Sequence, residues 1–152
     1  MPSFRTTRKV RHSAKEMFDL VADIESYPQF LPLCVELTVL RTTEARGAIT
    51  KVARMSVGYR SIRETFTTRV TCDPAKQEIF VTYVDGPFRH LENRWHFREH
   101  APDVCLVEFQ IAYEFRNRAL SVLMGGMFEK AFRKFSEAFE RRADIVYGAP
   151  AA

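Results

Sequence analysis

Residues 105–141 read CLVEFQIAYEFRNRALSVLMGGMFEKAFRKFSEAFER, and the hydrophobic period changes within this segment, which indicates a strand followed by a long helix. Up to Phe115 the apolar residues alternate with polar ones, which is the pattern of a strand with one buried face. After Asn117 the apolar residues recur every three or four positions, and this spacing predicts an amphipathic helix over roughly residues 117–147. The helix has a broad apolar side that another element must cover.

Six further strands are predicted upstream, because the same alternation recurs between glycine- and proline-containing turns. Ser13 and Glu16 form a capping box, so a short helix begins after the first strand and ends near Ala22. Pro28 and Pro32 then allow only a tight turn or a single helical turn. The predicted strands before residue 105 cover approximately residues 3–11, 35–46, 49–57, 62–72, 78–84 and 91–97.

Strands with one apolar and one polar face need a cover, and the C-terminal helix is the only predicted element large enough to provide it. The sequence therefore predicts a single α+β domain over residues 1–147, in which an antiparallel sheet of about seven strands wraps around the long helix. Within the second strand, Val35, Leu37 and Val39 are predicted to share the buried face. Residues 148–152 are predicted to form a short tail.

The composition is that of a globular protein with an unusual amount of phenylalanine. Hydrophobic residues make up 46% of the 152 residues and charged residues 28%, which argues against long disordered segments. The chain contains 13 Phe but one Trp, so the aromatic excess either fills a bulky core or lines an apolar pocket.

Charge and cysteine usage bear on where the protein works. The net charge of +4 permits contact with anionic lipid or RNA without requiring either. Arg5, Arg8, Lys9 and Arg11 are interpreted as the charge protection of an edge strand, and alternatively as a binding patch. Three widely spaced cysteines fit a reducing compartment. No signal peptide precedes the first predicted strand. No apolar run approaches the ~20 residues that span a bilayer. We therefore expect a cytoplasmic protein, with peripheral contact at the inner membrane as a further option.

Motifs of the common enzyme classes are absent from the sequence. It contains no GxSxG, HExxH, glycine-rich phosphate loop or paired-cysteine metal motif. Its histidines are scattered, and His96 and His100 are assigned to the solvated side or the end of a strand. The sequence therefore predicts a non-enzymatic protein with no catalytic residue, metal or cofactor, although the members of a triad can also be distant in sequence.

Three polar side chains are predicted on apolar strand faces. Glu64 and Thr68 share a face with Phe66, and Asn93 shares one with Trp95. Burying a carboxylate or an amide costs free energy unless hydrogen bonds satisfy it. These groups either pair with each other and with the backbone, or serve as the few polar anchors of an apolar ligand pocket. A pair of Glu64 and Asn93 would also be the polar dyad that a cyclase-like enzyme needs.

The Phe-rich side of the predicted C-terminal helix is interpreted either as core packing or as a cavity wall, and packing is sufficient to account for it. Gly125 and Gly126 are harder to explain by packing. Two glycines inside a helix cost about 1 kcal/mol each relative to alanine. They are interpreted either as the hinge of a lid or as a site of close packing against a strand. In the lid interpretation the residues that cover the pocket are Leu123, Met124, Met127 and Phe128.

A predicted hairpin tip at Val57-Gly58-Tyr59 is apolar and flanked by arginines, among them Arg54, Arg60 and Arg63. Apolar residues beside cations are typical of segments that rest on a membrane surface. The alternative interpretation is an ordinary tip folded onto the helix.

Residues 20–34, LVADIESYPQFLPLC, resemble the V-x-D-x-x-x-Y-P-x-F-L-P-W-C signature of the START-like coenzyme Q-binding family, which includes the bacterial ribosome-association toxins. Leu33 stands where many members carry Trp. The first motif is specific, and later matches add to it mainly through their order. They lie at residues 56–59, 64–70, 86–97, 109–115 and 138–143, so the resemblance covers nearly the whole chain.

The resemblance implies a helix-grip, START-like fold with an apolar cavity between the sheet and the C-terminal helix. It implies non-enzymatic binding of ubiquinone or a related isoprenoid lipid, in support of respiratory electron transport and quinone biosynthesis. The toxin members of the family imply an alternative role, in which the protein binds the large ribosomal subunit and inhibits subunit association. Polyketide cyclases, which are more distant relatives, imply an enzyme as a third alternative. The residues expected to contact the ligand are Tyr27, Phe30, Leu31, Pro32, Glu64, Phe66, Asn93, Trp95, Phe109, Met124, Phe128 and Phe135.

Overall fold

The computed structural model of the protein describes residues 3–59 and 61–148. These residues form seven strands, two α-helices and one 3-10 helix. The predicted tail lies outside the described residues apart from Gly148, as does Arg60 of the predicted hairpin tip. In chain order the elements are β1 (Ser3–Val10), α1 (Ala14–Ala22), the 3-10 helix (Ile24–Gln29), β2 (Cys34–Ala45), β3 (Ala48–Tyr59), β4 (Ile62–Asp73), β5 (Glu78–Asp85), β6 (Phe88–Ala101), β7 (Val104–Phe115) and α2 (Arg118–Tyr147).

The strands form one antiparallel sheet in the order β1-β7-β6-β5-β4-β3-β2. Strands β2 to β7 follow each other as a meander, and β1 pairs with the free side of β7, so β1 is an edge strand as its charges predict. The helix α2 covers the apolar face of the sheet, while α1 packs against α2, β6 and β7. The predicted α+β helix-grip architecture is confirmed.

Side-chain caps fix where both α-helices begin. The Ser13 hydroxyl accepts a hydrogen bond from the Glu16 backbone N–H at 3.1 Å, and the Glu16 carboxylate accepts one from the Ser13 N–H at 3.0 Å. The side-chain oxygen of Asn117 accepts a hydrogen bond from the Leu120 N–H at 2.9 Å. Each cap satisfies N–H groups that the first helical turn leaves free, so the predicted capping box and the predicted start of the long helix are confirmed.

The strand β2 corrects one detail of the predicted alternation. Val35 is 43% exposed and does not share the buried face with Leu37 and Val39. The register of β2 on β3 shifts between Cys34 and Glu36, so a β-bulge at Val35 inserts one extra residue and reverses the alternation. Cys34 therefore faces the interior instead, where it is buried.

Polar contacts fasten the C-terminal half of α2 to the rest of the fold, whereas its N-terminal half packs through the apolar side chains of Met124 and Phe128. Opening the N-terminal half would therefore break apolar packing but not these polar contacts. Val146, which was predicted on the buried side, is 50% exposed beyond the last of the buried residues. The contacts are Arg8 Nη2 to Glu140 Oε1 (2.7 Å), His12 Nε2 to Asp144 Oδ1 (2.7 Å), Arg142 Nη2 to Gln29 Oε1 (2.8 Å) and Tyr147 Oη to the Glu16 carbonyl (3.0 Å).

Candidate functional site

An apolar cavity of about 100 Å³ lies between the inner face of the sheet and α2. Its walls come from the 3-10 helix and the loop after it, from the inward-facing residues of β2 to β7, and from four phenylalanines of α2. The family-signature segment and the Phe-rich helix therefore meet at one site. The lining residues are Ile24, Tyr27, Leu31, Pro32, Leu33, Cys34, Leu37, Ala53, Met55, Val57, Phe66, Thr68, Val70, Ile79, Val81, Leu91, Asn93, Trp95, Ile111, Phe128, Phe132, Phe135 and Phe139.

The cavity contains most of the residues predicted for it. Four predicted residues do not line it, and their positions explain why. Phe30 packs behind the wall against Tyr27 and Phe139, Phe109 packs behind Trp95, and Met124 is fully buried one turn before Phe128. Glu64 is half-buried near the outer end of β4. The predicted residues that do line the cavity are Tyr27, Leu31, Pro32, Phe66, Asn93, Trp95, Phe128 and Phe135.

The polar dyad that a cyclase-like enzyme would need is not formed by Glu64 and Asn93. Across the sheet Asn93 pairs with Val81, which pairs with Val70 of β4. Glu64 lies six residues from Val70 on that strand, so about 20 Å of strand separates the two side chains. Glu64 and Asn93 therefore share the inner face of the sheet without sharing a site.

The Asn93 side chain holds the Trp95 ring in place. Its amide nitrogen donates to the Gln110 carbonyl at 2.8 Å, and its amide oxygen accepts a hydrogen bond from the indole nitrogen of Trp95 at 3.0 Å. The alternative in which this buried amide pairs with neighbouring groups is confirmed for Asn93. Because an amide nitrogen carries two hydrogens, one N–H of Asn93 remains beyond the bond to the Gln110 carbonyl.

The cavity walls are neutral. None of the described residues that line the cavity is an Asp, Glu, His, Lys or Arg. The Tyr27 hydroxyl donates to the Val21 carbonyl, and burial raises the pKa of Tyr27 well above its ordinary value. Burial likewise raises the pKa of the Cys34 thiol to about 11, so Cys34 is protonated and weakly reactive at neutral pH. The Thr68 hydroxyl and the Asn93 amide are further polar groups of the walls, so the site can bind an apolar molecule that carries a few hydrogen-bond acceptors.

Sequence reasoning missed the cavity residues of β3 and part of α2. Ala53, Met55 and Val57 alternate along β3 and line the cavity, so the period-two pattern contained the signal that could have found them. Phe132 and Phe139 lie on the same side of α2 as Phe128 but were not among the residues predicted to contact the ligand. A phenyl ring of α2 can pack in the core and line the cavity at the same time.

The glycine pair of α2 leaves room for side chains. A Cβ atom built on Gly125 or Gly126 meets nothing within 4 Å, so the close-packing interpretation is wrong. The predicted cover of the pocket is also wrong for Leu123, which is 57% exposed, whereas Met124 and Phe128 are buried. The hinge interpretation stays a prediction.

The predicted hairpin tip does not present a continuous apolar surface. Val57 is 4% exposed and lines the cavity, while Tyr59 is 47% exposed. Only one of the two large apolar residues of this turn therefore points outward. Along residues 3–59 and 61–148, no helix is both long and apolar enough to cross a membrane.

Comparisons with known proteins agree with this geometry. The family described as polyketide cyclase/dehydrase and lipid transport matches residues 10–140. The chain is 37% identical over 149 residues to the ribosome association toxin RatA of Escherichia coli K12, which covers 98% of this chain and 91% of that protein. It is 30% identical over 139 residues to the mitochondrial coenzyme Q-binding protein COQ10 homolog B of Xenopus laevis, which covers 90% of this chain and 55% of that protein.

Two solved structures share the fold of this protein. The solution structure of an 18 kDa protein from Caulobacter crescentus matches with a TM-score of 0.80 and 30% identity, over 98% of this chain and 100% of that one. An aromatase/cyclase from Streptomyces sp. R1128 matches with a TM-score of 0.81 at 17% identity, over 94% and 93% of the two chains, and so shows the fold alone. The relatives named above are binding proteins or toxins, whereas this neighbour is an enzyme. The chain belongs to the polyketide cyclase/dehydrase and lipid transport family, within the START-like group that contains the ribosome association toxins and the coenzyme Q-binding proteins.

Proposed function

We propose that the protein binds ubiquinone or a related isoprenoid lipid in the cavity beneath α2, without catalysing a reaction on it. The observation that carries this proposal is the neutral, phenylalanine-rich wall, which offers apolar surface and no acid or base. General acid–base catalysis needs a titratable group within hydrogen-bond reach of the substrate, and the lining supplies none with an ordinary pKa near neutrality. The relative from Xenopus laevis, named as a coenzyme Q-binding protein, supports the choice of ligand class.

The hydrogen-bonding groups of the cavity suit a quinone. A quinone ring carries two carbonyl oxygens that accept hydrogen bonds and has no polar hydrogen to donate. Thr68 offers a hydroxyl and Asn93 retains an amide N–H, so both can donate to a carbonyl. The remaining contacts of the ring and the isoprenoid tail would be to the phenyl rings of α2.

The size of the cavity requires α2 to move when a ligand enters. The cavity has a volume of about 100 Å³, whereas an apolar cavity that binds benzene in another protein has about 150 Å³, and a ubiquinone ring is larger than benzene. The N-terminal half of α2 is the element that can move, because apolar packing holds it while polar contacts hold the C-terminal half. Gly125 and Gly126 lie within this half and can act as the hinge.

Ubiquinone binding is expected to quench the fluorescence of Trp95, which is the single tryptophan of the chain and lines the cavity. Quenching by a short-tailed ubiquinone should be saturable, because the ligand occupies one site. The Ala53→Leu variant adds volume to the wall and should weaken binding by about tenfold, since overpacking a cavity costs 1–3 kcal/mol. Fluorescence titration of both proteins measures the difference.

Ala112→Leu is the matched control for this titration. Ala112 is half-buried on the outward face of β7, so the same added volume lies outside the cavity and should leave the affinity unchanged. Native mass spectrometry of protein purified from its own host provides a second readout. Unsaturable quenching, together with no recovered quinone or lipid, would rule the proposal out.

Ribosome association is the second candidate, because a row of side chains crosses the outer face of the sheet. The strand register aligns one outward residue from each of the seven strands, and no member of the row is acidic. The row spans six interstrand spacings, or about 29 Å. We call it the cross-sheet row, and its members are Thr43, Thr50, Thr71, Phe80, Arg94, Gln110 and Arg5.

The chemistry of the cross-sheet row fits an RNA backbone. Arg94 and Arg5 flank Gln110, and the Arg94 guanidinium lies 4.4 Å from the centre of the Phe80 ring. Arginine and hydroxyl side chains contact phosphates, and an aromatic ring beside an arginine can stack on an unpaired base. The Glu108 carboxylate lies nearby and would repel an anion. The Arg98 guanidinium, 3.0 Å from this carboxylate, offsets the repulsion.

Reversing two charges of the cross-sheet row should abolish ribosome binding if this function applies. The Arg5→Glu/Arg94→Glu variant is expected to lose co-sedimentation with large ribosomal subunits at low salt. The wild-type association should weaken as the salt concentration rises, because phosphate contacts release counterions. Lys130→Glu/Lys134→Glu changes the net charge equally on the exposed side of α2 and should retain binding. Absence of wild-type association at both low and moderate salt would remove this candidate.

A further inference from the structure

After Arg118, the first three turns of α2 contain no charged side chain. Residues 119–128 read ALSVLMGGMF, and charged side chains return only at Glu129. A helix that is apolar on all sides is normally buried, because water solvates its outer face poorly. Here the outer face is open, since Val122 is 80% exposed and Leu123 is 57% exposed. We call residues 119–127 the α2 tip.

Exposed apolar residues indicate a docking site only together with a second feature, because Ile145 and Val146 at the other end of α2 are similarly exposed. Val122 is more exposed than any other large hydrophobic side chain among the described residues, and Leu123 lies beside it. Adjacent exposed apolar residues mark sites of interaction with proteins or membranes more often than scattered ones do. Gly125 and Gly126 add no side chain to this part of the helix, and a Cβ atom at either position would meet nothing within 4 Å.

Arginines surround the base of the α2 tip. Arg116 and Arg118 are exposed at the start of the helix, and the Arg89 guanidinium lies 3.5 Å from the Arg116 carbonyl. The first turn of α2 contains no acidic residue. A cation at a helix N-terminus opposes the helix dipole, so helix stability does not explain these arginines. Glu114, 3.8 Å from Arg89, offsets part of this charge, and among residues 3–59 and 61–148 no carboxylate lies within 4 Å of Arg116 or Arg118.

We propose that the α2 tip docks on the surface of a membrane that contains anionic phospholipid. Val122 and Leu123 enter the interface between headgroups and acyl chains, and Arg116 and Arg118 contact the phosphates. Arginine stems can lie along the apolar layer while their guanidinium groups stay at the phosphates. A protein partner would not require cations at the edge of an apolar patch, whereas an anionic bilayer attracts them.

The position of the α2 tip links docking to the cavity. The tip spans about 14 Å of helix, enough to lie along a membrane interface into which such segments sink 5–10 Å. Met124 is buried beneath it and Phe128, in the next turn, lines the cavity. Docking therefore engages the half of α2 that covers the cavity. This inference rests on the proposed lipid-binding function, because it names the source from which the apolar ligand enters.

Vesicle co-sedimentation tests the proposal with the full chain. The wild-type protein is expected to bind vesicles of phosphatidylcholine with phosphatidylglycerol more tightly than vesicles of phosphatidylcholine alone. Val122→Glu/Leu123→Glu should weaken binding by at least about tenfold, since each buried side chain contributes roughly that factor. The matched control is Ile145→Glu/Val146→Glu, which adds the same charges at the other end of the helix. Ile145 and Val146 are also apolar and are 74% and 50% exposed. This control variant should bind as the wild type does.

Quenching of Trp95 by ubiquinone in solution separates this proposal from the proposed function. A double tip variant that loses vesicle binding but keeps quenching supports docking through the α2 tip. Equal vesicle binding by the two double variants, or no vesicle binding by the wild type, would overturn docking while leaving ligand binding intact. Equal binding to anionic and neutral vesicles would overturn the assignment of the arginines to phosphates.

Discussion

The Gly86→Ala variant is expected to lose about 2–6 kcal/mol of unfolding free energy, because the backbone and the packing both oppose a side chain at this position. Gly86 adopts a φ of +143°, which residues with a side chain rarely adopt. A Cβ atom there would lie 2.5 Å from the Cβ and 2.9 Å from the Cα of Phe66. Both neighbours belong to the β4 strand and cannot move without displacing it.

Gly47→Ala is the matched control for Gly86→Ala. Gly47 also has a positive φ, +82°, but a Cβ atom at this position meets nothing within 4 Å. The control isolates the backbone term and should lose about 1–2 kcal/mol. Urea unfolding of the two variants measures the difference. If Gly86→Ala is no less stable than Gly47→Ala, then the close approach of the β5–β6 turn to Phe66 is wrong.

The Gly86→Ala substitution is also expected to affect the cavity. Phe66 lines the cavity, and its ring packs edge-on to Phe88 with the ring centres 5.5 Å apart. A methyl group at Gly86 would push Phe66 toward the cavity or force the β5–β6 turn outward. Any folded fraction of Gly86→Ala should therefore also bind ubiquinone less tightly than the wild type.

The fold could be predicted because several local signals agree. The change of period after Phe115, the Asn117 cap and the Ser13 capping box each indicate the same elements, and the structure contains all of them. The bulge at Val35 could not be predicted, because no glycine or proline marks it and the alternation of Val35, Leu37 and Val39 continues through it. Only the pairing with β3 determines which of the neighbouring residues faces inward.

The sequence predicted which residues lie on the inner face of the sheet, but not which of them line the cavity. The pattern placed Glu64 and Asn93 on the inner face of the sheet, and both are there. Their separation along the sheet depends on the strand register, which no spacing within one strand reveals. Phe109 and Met124 were likewise assigned to the correct face and are fully covered by neighbouring side chains. Alternation shows which side a residue takes, whereas packing decides whether it touches empty space.

Phe139→Ala is expected to lose about 3–5 kcal/mol of unfolding free energy and to enlarge the cavity at the same time. Phe139 is 1% exposed, lines the cavity and packs against three aromatic rings. The distances between its ring centre and theirs are 5.3 Å to Tyr27, 5.2 Å to Phe30 and 5.1 Å to Trp95. Its removal forfeits these contacts and leaves a void, because the C-terminal half of α2 is held too firmly to close it.

Benzene distinguishes a larger cavity from a collapsed one. The wild-type cavity of about 100 Å³ must open before benzene can enter, and this opening costs binding free energy, so the Tm of the wild type should respond only weakly. The Tm of Phe139→Ala should rise with benzene concentration, because a ligand that binds only the folded state stabilises it. Phe80→Ala makes the same change on the outer face of the sheet, where the Arg94 guanidinium covers the ring, and should lose far less stability without gaining a response. A Phe139→Ala variant whose Tm ignores benzene, or whose stability loss matches that of Phe80→Ala, would mean that Phe139 does not separate the cavity from the core.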